Sequence, residues 1–313
     1  MSSPTYLVTG GAGFIGSHIV ARLLADGATV RVVDDLSTGL VQNLAPFGER
    51  IDFIEGDVAD PGVADRATEG VDTVFHLAAL GSVPRSVQNA WASHHANVNA
   101  TVRLLEACRR ANVRRVVYSS SSSVYGDTPT LPKHEALEML PRSPYAASKL
   151  AGEQYVLAYA RGGLVEGIAL RYFNVFGPRQ RPDGPYAAVI PRFFDAARNG
   201  VGVEIFGDGS QTRDFTYVDN VVDANLRAAS VPAERANGTV VNVGAGGRTS
   251  LLELHALVEE VTGRRIAITH RAPRAGDVRD SLASLERAHA AIGYVPGVSL
   301  REGLRRTWQA MTD

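Results

Sequence analysis

Lysine occurs at only two positions in this chain, Lys133 and Lys149, and Lys149 stands one helical turn after Tyr145 in the segment Ser143-Pro-Tyr-Ala-Ala-Ser-Lys149. Arginine supplies nearly every other cation, and a guanidinium neither releases its proton nor replaces a compact ammonium. The position therefore calls for an amine. Pro144 suits a first helical position, and residues four apart share a helix face, so the Lys149 ammonium is expected to approach the Tyr145 ring and stabilise a phenolate. Such a tyrosine is a usable general base near neutrality. Upstream, Arg115-Val-Val-Tyr-Ser119 runs into Ser120-Ser-Ser-Ser-Val-Tyr-Gly126, which brings hydroxyls to the C-terminal edge of a predicted strand. A serine there can hydrogen-bond a substrate hydroxyl or carbonyl while the phenolate takes its proton.

A second motif says what accompanies that proton. Thr9-Gly-Gly-Ala-Gly-Phe-Ile-Gly16 lies between a predicted strand and a predicted helix. Glycines there permit a tight turn and close backbone approach to a pyrophosphate, which the following helix meets with its N-terminal N–H groups. Gly10, Gly13, Phe14, Ile15 and Gly16 are the expected contacts. The next strand ends at Asp34, where a dinucleotide fold puts a carboxylate on the adenosine ribose. An acid at that point repels the 2′-phosphate of NADP and favours NAD. Asp35 and the turn at Asp57 and Val58 are candidates for ribose and adenine. A dinucleotide beside Tyr145 would pair hydride transfer with proton transfer.

These groups need a sheet to carry them. From Tyr6 to about Gly177, short β-branched runs alternate with amphipathic stretches, which argues for βαβ units and a parallel sheet. Strands are predicted at Tyr6–Thr9, Thr29–Val33, Ile51–Ile54, Thr73–Leu77, Arg115–Ser119 and Gly167–Tyr172, and helices at Ile15–Ala25, Val98–Ala111 and Tyr145–Ala160. The expected architecture is α/β: a Rossmann-type doubly wound parallel sheet over residues 1–177, with a segment near 212–243 returning to it. Residues 178–313 mainly form a smaller α/β substrate-binding domain. After Gly177 the chain becomes rich in Pro, Gly and Arg, the mark of a long functional loop.

Composition narrows the class. Hydrophobic residues make up 45% and charged residues 21% of 313, ordinary for a soluble enzyme. A net charge of -1 offers no basic face for nucleic acid or anionic lipid. Cys108, the single cysteine, sits on an apolar helical face and leaves no disulfide or thiolate cluster to build. His94 and His95 lack partners at ligand spacing, so no metal is expected, and His76 is read as a strand end. Too few residues precede the first strand for a signal peptide, and no apolar run reaches spanning length, so a cytoplasmic protein is expected.

Taken in this order, the motifs resemble the extended short-chain dehydrogenase/reductase family over essentially the whole chain. Within it, Asp35-Leu-Ser-Thr-Gly39, His76-Leu-Ala-Ala79, Leu170-Arg-Tyr-Phe-Asn-Val-Phe-Gly177 and Arg213-Asp-Phe215 look like segments of bacterial UDP-sugar 4-epimerases. The resemblance implies Ser121, Tyr145 and Lys149 as the catalytic set, with Ser122 or Ser123 able to share the serine's part. It adds Leu77, Ala78 and Ala79 to the NAD site, which Tyr145 and Lys149 also touch. The nucleotide-sugar site is implied at Asn174, the stretch 187–190 with Ala188 and Val189, Phe206, Arg213, Arg274 and Asp277. A homodimer through Val98–Ala111 and Tyr145–Ala160 is implied too.

Related dehydratases and decarboxylases carry an acidic residue beside the catalytic hydroxyl, where this chain has Ser122 and Ser123. Redox-neutral epimerisation at C4 is the simplest chemistry left. As to the sugar, Ser122, Ser123, Arg85, Arg179, Arg181 and Arg192 would suit a C6 carboxylate. The chain as a whole looks like UDP-glucuronic acid 4-epimerases of actinomycetes, which would yield UDP-galacturonic acid. Gly81-Ser-Val-Pro-Arg85 and Asn174 also resemble epimerases of UDP-N-acetylhexosamines and their uronic acids, and UDP-glucose stays open. A net oxidoreductase or a non-catalytic NAD sensor are the alternatives of other kinds.

Overall fold

The computed structural model describes residues 4–181, 188–272 and 279–312. Seven parallel strands form its central sheet: β1 (Thr5–Thr9), β2 (Thr29–Asp34), β3 (Ile51–Glu55), β4 (Thr73–His76), β5 (Arg115–Ser121), β6 (Glu166–Tyr172) and β7 (Thr239–Val243). Their spatial order is β3-β2-β1-β4-β5-β6-β7. The chain thus winds outward from β1 in one direction, then reverses at β4 and winds out in the other. Such a switch point opens a crevice at the carboxyl ends of the strands.

Both faces are covered, as a parallel sheet requires. Alternate residues along each strand feed two separate cores. Val8, Val32, Phe75, Val117, Ile168 and Val241 pack under α1 (Phe14–Ala25) and the late helix Val218–Ser230. Leu7, Val33, Val74, Val116, Tyr118 and Ala169 pack under α2 (Pro61–Thr68), α3 (Ala100–Arg110) and α4 (Pro144–Arg161). Cys108 is buried in the second core, where loss of solvent pushes its thiol pKa far up.

Boundaries differ from the sequence expectation at two places that bear on function. β5 continues to Ser121, because Ser120 and Ser121 pair with Arg171 and Tyr172 of β6, so the serine run begins as strand. Ser122–Tyr125 then forms a 3-10 turn with Ser121 Oγ accepting from Ser123 N at 3.2 Å. The helix predicted from Val98 is preceded by a π-helical turn, His95–Asn99, which turns the buried Asn97 amide toward the loop at Leu80. α4 starts as read: Ser143 Oγ accepts from Ala146 N at 3.1 Å and Pro144 takes the first turn.

Past β6 the chain builds smaller pieces: the parallel pairs Val175–Phe176 with Thr216–Tyr217 and Val203–Phe206 with Ile268–Arg271, and the antiparallel pair Thr212–Arg213 with Thr249–Ser250. Helices Val189–Asn199, Leu251–Thr262 and Leu300–Thr312 pack beside them. Among the described residues no helix is long and apolar enough to cross a membrane.

Arg115, 1% exposed, fastens the late helix to the sheet. Its Nη1 donates to the carbonyls of Ala228, Ala229 and Val231 at 2.9, 3.1 and 2.6 Å, while Nε donates to Glu166 at 2.7 Å. Arg115→Met takes this donor from the Ala228 and Val231 carbonyls, leaves Ala229 O with only the 3.4 Å bond from Arg114 Nη2, and leaves Glu166 without its closest cation. The variant is expected to lose about 2–4 kcal/mol of stability, read as a lower unfolding midpoint by circular dichroism. A loss under about 0.5 kcal/mol, the range of an ordinary surface change, would show that the contacts are replaced by water.

Candidate active site

The crevice at the switch point is a cleft of about 1090 Å³ along the carboxyl ends of β1 to β6. A second cavity of about 280 Å³ adjoins it, since Asn174, Val175 and Arg213 line both.

At the β1 end, Gly10 has φ +68°, and a Cβ on it would stand 2.8 Å from the Ala78 backbone nitrogen. A Cβ on Gly16 would collide with the Gly10 carbonyl oxygen. The loop therefore closes only with glycine at these positions. α1 begins at Gly13 with no side chain capping it, which leaves its first amides free for an anion. The Asp34 carboxylate accepts from Ala12 N and Leu36 N, both at 2.9 Å. Burial lifts its pKa while those two amides pull it back. Thr9 Oγ1 ties the switch point together, accepting from Leu77 N and Ala78 N at 3.2 Å and meeting His76 Nδ1 at 2.7 Å. His76 ends β4, and burial drives its pKa down to about 3, so its ring is neutral.

Gly10, Gly13, Phe14, Ile15, Gly16, Asp34, Asp35, Asp57, Val58, Leu77, Ala78 and Ala79 all line this cleft, as do Tyr145 and Lys149. The glycine cradle, the uncapped helix and the acid at the end of β2 fit a dinucleotide. His95 lies 3.3 Å from Asp57 across the cleft rim. Among the described residues no group of three or more metal-ligating side chains comes together.

At the β5 end, α4 brings Tyr145 and Lys149 over the serine run. The Ser121 hydroxyl works against the rise in the Tyr145 pKa that burial causes. Ser123 Oγ donates to Ser121 Oγ at 2.9 Å, so Ser121 and Ser123 form one hydroxyl chain. Ser86 Oγ accepts from Tyr145 N at 3.0 Å, and Ser148 Oγ from the Asn97 amide at 2.9 Å. These bonds hold the first turns of α4.

Lys149 also packs against β5. Its Nζ lies over the Tyr118 ring, 4.4 Å from the centroid, and Ser121 is the group that lowers Tyr145. A four-residue interval specifies a shared helix face, whereas the strand behind the helix decides what the end of a long side chain meets. Burial brings Lys149 down to about 7, with Glu153 pulling the other way.

The expected sugar residues divide between the cavities. Arg85, Ser122 and Ser123 line the large cleft, Asn174 and Arg213 line both, and Ala188, Val189, Arg192 and Phe206 line the small one. The other arginines read as hexose-facing divide likewise, Arg179 and Arg181 lining the large cleft. Arg179 Nη1 donates to Ser17 O on α1 at 3.0 Å, and Arg192 faces the small cavity. Ala187, Arg274 and Asp277 lie outside the described residues.

Among the cleft-lining groups that escaped sequence reading are Lys133, Tyr172 and Ser281. Lys133 is 2% exposed and donates to Gly126 O at 3.0 Å. A signal for it did exist. Both lysines of this arginine-rich chain are buried on one cleft, and the rarity that singled out Lys149 applied equally to Lys133.

Residues 6–244 match the NAD dependent epimerase/dehydratase family, and the chain belongs to it; its cofactor is NAD. The chain is 44% identical over 305 residues to a UDP-glucose 4-epimerase of Mycolicibacterium smegmatis, covering 96% of each. Among solved structures it is similar to the UDP-N-acetylglucosamine 4-epimerase of Methanobrevibacter ruminantium in complex with UDP-N-acetylmuramic acid, with a TM-score of 0.94, 39% identity and coverage of 100% of this chain and 99% of that one. MoeE5 in complex with UDP-glucuronic acid and NAD gives a TM-score of 0.88 at 39% identity, covering 98% and 99%. A further MoeE5 structure holds UDP-glucose and NAD.

Gly10→Ala is expected to weaken NAD binding by at least about tenfold, the equivalent of roughly 1.4 kcal/mol, because both its backbone conformation and its contact with Ala78 forbid a Cβ. Isothermal titration of NAD-stripped protein measures this. Unchanged affinity in a folded variant would mean that the dinucleotide does not use this loop.

Proposed function

We propose that the chain is a UDP-sugar 4-epimerase acting through a transient 4-keto sugar, with UDP-glucuronic acid, converted to UDP-galacturonic acid, as its leading substrate. The make-up of the cleft carries this reading. Ser121, Tyr145 and Lys149 meet at the β5 end, and the carboxylates lining the cleft among the described residues, Asp34, Asp35 and Asp57, stand beyond β2 and β3. Elimination of water or loss of a carboxyl group calls for a further acid or base at the reacting carbons. Epimerisation needs only one proton site and leaves the sugar's oxidation state unchanged.

Bound NAD supplies a reversible hydride acceptor. The chain's own residues manage the proton. Tyr145 Oη takes it from the C4 hydroxyl, Ser121 hydrogen-bonds the same oxygen as it becomes a carbonyl, and Lys149 keeps positive charge near the phenolate. Return of the proton from Tyr145 completes the cycle after the hexose has turned. Arg213 and Asn174, shared by both cavities, would hold the diphosphate while it turns, an arginine fork matching phosphate oxygens. Phe206 in the small cavity suits the flat uracil.

For the hexose, Arg85, Arg181 and Lys133 line the cleft with the hydroxyls of Ser122 and Ser123, and that cationic excess favours a C6 carboxylate. UDP-glucose is the second reading, supported by the 44% identity to the mycobacterial enzyme. The intact Ser121, Tyr145 and Lys149 set argues against a non-catalytic sensor. A homodimer through α3 and α4 belongs to the same proposal, Tyr155 of α4 being 44% exposed; sedimentation at twice 33.4 kDa would bear it out.

Purified protein without added NAD is incubated separately with UDP-glucuronic acid, UDP-glucose and UDP-N-acetylglucosamine, and each sugar is followed by proton NMR. UDP-glucuronic acid is expected to turn over fastest, and Tyr145→Phe to slow it by about 10²–10⁴-fold. A reactive neutral sugar beside inert UDP-glucuronic acid sinks the carboxylate reading. Inertness of all three after NAD is supplied sinks the epimerase for these sugars.

A further inference from the structure

Directly behind the serine run lies a charged cluster that the reaction as described does not use. Glu153 follows Lys149 by one turn of α4 and is fully buried. Its Oε2 accepts from Ser120 Oγ at 2.7 Å and from Arg171 Nε at 2.9 Å, and its Oε1 accepts from Arg171 Nη2 at 2.6 Å. Arg171 is 1% exposed, lies 4.7 Å from the Tyr125 ring centroid, and leaves Nη1 without a partner. Ser120 and Arg171 face each other across β5 and β6, immediately before Ser121 and Tyr172.

Stability does not account for such a pair. Removing both ions from water costs several kcal/mol each, and well-packed apolar residues of similar size commonly do as well or better. Its location is what distinguishes it: one carboxylate bonds to the residue before Ser121 and stands one turn from Lys149. We propose that Glu153, clamped by Arg171 and Ser120, is a positioning residue of the catalytic set, which holds Lys149 as an ammonium and holds the end of β5 under Tyr145.

The surroundings of Lys149 agree. From β4 it faces the neutral His76, from β5 the Tyr118 ring, and from α4 Glu153, with Tyr145 one turn before it on the same helix. Burial suppresses the charge of both phenols. Arg171, the ionised group contributed by β6, is itself bound to Glu153. Among these groups Glu153 is the anion, so it alone opposes the loss of the lysine proton that burial favours. In the unfolded chain the amine keeps its ordinary value of 10.5, whereas in the fold it falls to about 7. Without Glu153 it falls further, and at neutral pH the amine is mostly uncharged.

The inference rests on Lys149 belonging to the catalytic set, but its test does not need turnover. With only two lysines in the chain, carbon-13 label at the lysine ε-carbon gives two signals, assigned with Lys133→Arg. Glu153→Gln keeps the shape and the acceptor for Ser120, and the Lys149 midpoint is expected to drop by about one unit or more. The high-pH limb of kcat should move down equally, giving about a tenfold loss one unit above the original midpoint with KM within about twofold. If Glu153→Gln does not fold, the double variant Glu153→Gln with Arg171→Met removes the stranded cation and is expected to lower the midpoint as well. A folded variant whose Lys149 titrates as in the unmodified protein overturns the proposal. Should the midpoint fall while the unmodified protein epimerises none of the sugars, the function fails and the charge link stands.

Discussion

The approach of α4 to β5 is the contact on which the active site depends. Gly152 faces the Tyr118 hydroxyl so closely that a Cβ would overlap it, and that hydroxyl donates to the Lys149 carbonyl at 3.3 Å. A helix one side-chain layer further out would carry Tyr145 away from Ser121. Two further bonds stop the helix from sliding: Ser86 Oγ receives Tyr145 N at its start, and Ser120 reaches Glu153 in its third turn. Rigid placement matters because proton transfer is sensitive to the distance between the hydroxyls concerned.

Charge is distributed along the cleft in the same sense as the ligand it suits. Acids stand beyond β2 and β3, where a ribose offers hydroxyl donors, and the uncapped start of α1 lies between them and the reacting end. Cations gather at the other end around Lys133, Arg85 and Arg213. The parallel sheet makes this possible, since every strand delivers its carboxyl end to one edge. The small cavity behind Asn174 stands apart from the glycine loop.

The parts of the site that could be read along the chain are the local ones. The glycine motif works because a turn and the helix that follows it are contiguous, and Asp34 because a strand end lies a fixed distance further on. Tyr145 and Lys149 were legible for the same reason, as was the alternation of strands and helices that builds the sheet. β7 lies about seventy residues beyond its neighbour β6, within the segment near 212–243 expected to return to the sheet, though no short-range pattern announces its partner or register.

What only the tertiary structure decided are meetings between residues far apart in sequence. Lys133 joins the cleft because the segment around it pairs with Leu282 and Ser284. Arg179 is tied to α1 at the cleft because Ser17, 162 residues away, offers it a carbonyl. Lys149 covers Tyr118 because β5 presents that ring. The sequence by itself determined the class of sheet, the glycine loop after β1 and the helix that carries Tyr145 and Lys149, since periodicity and turn chemistry act over a few residues. The neighbours that tune those side chains depend on which strands and loops pack together, and a buried charge takes its strength from that packing alone.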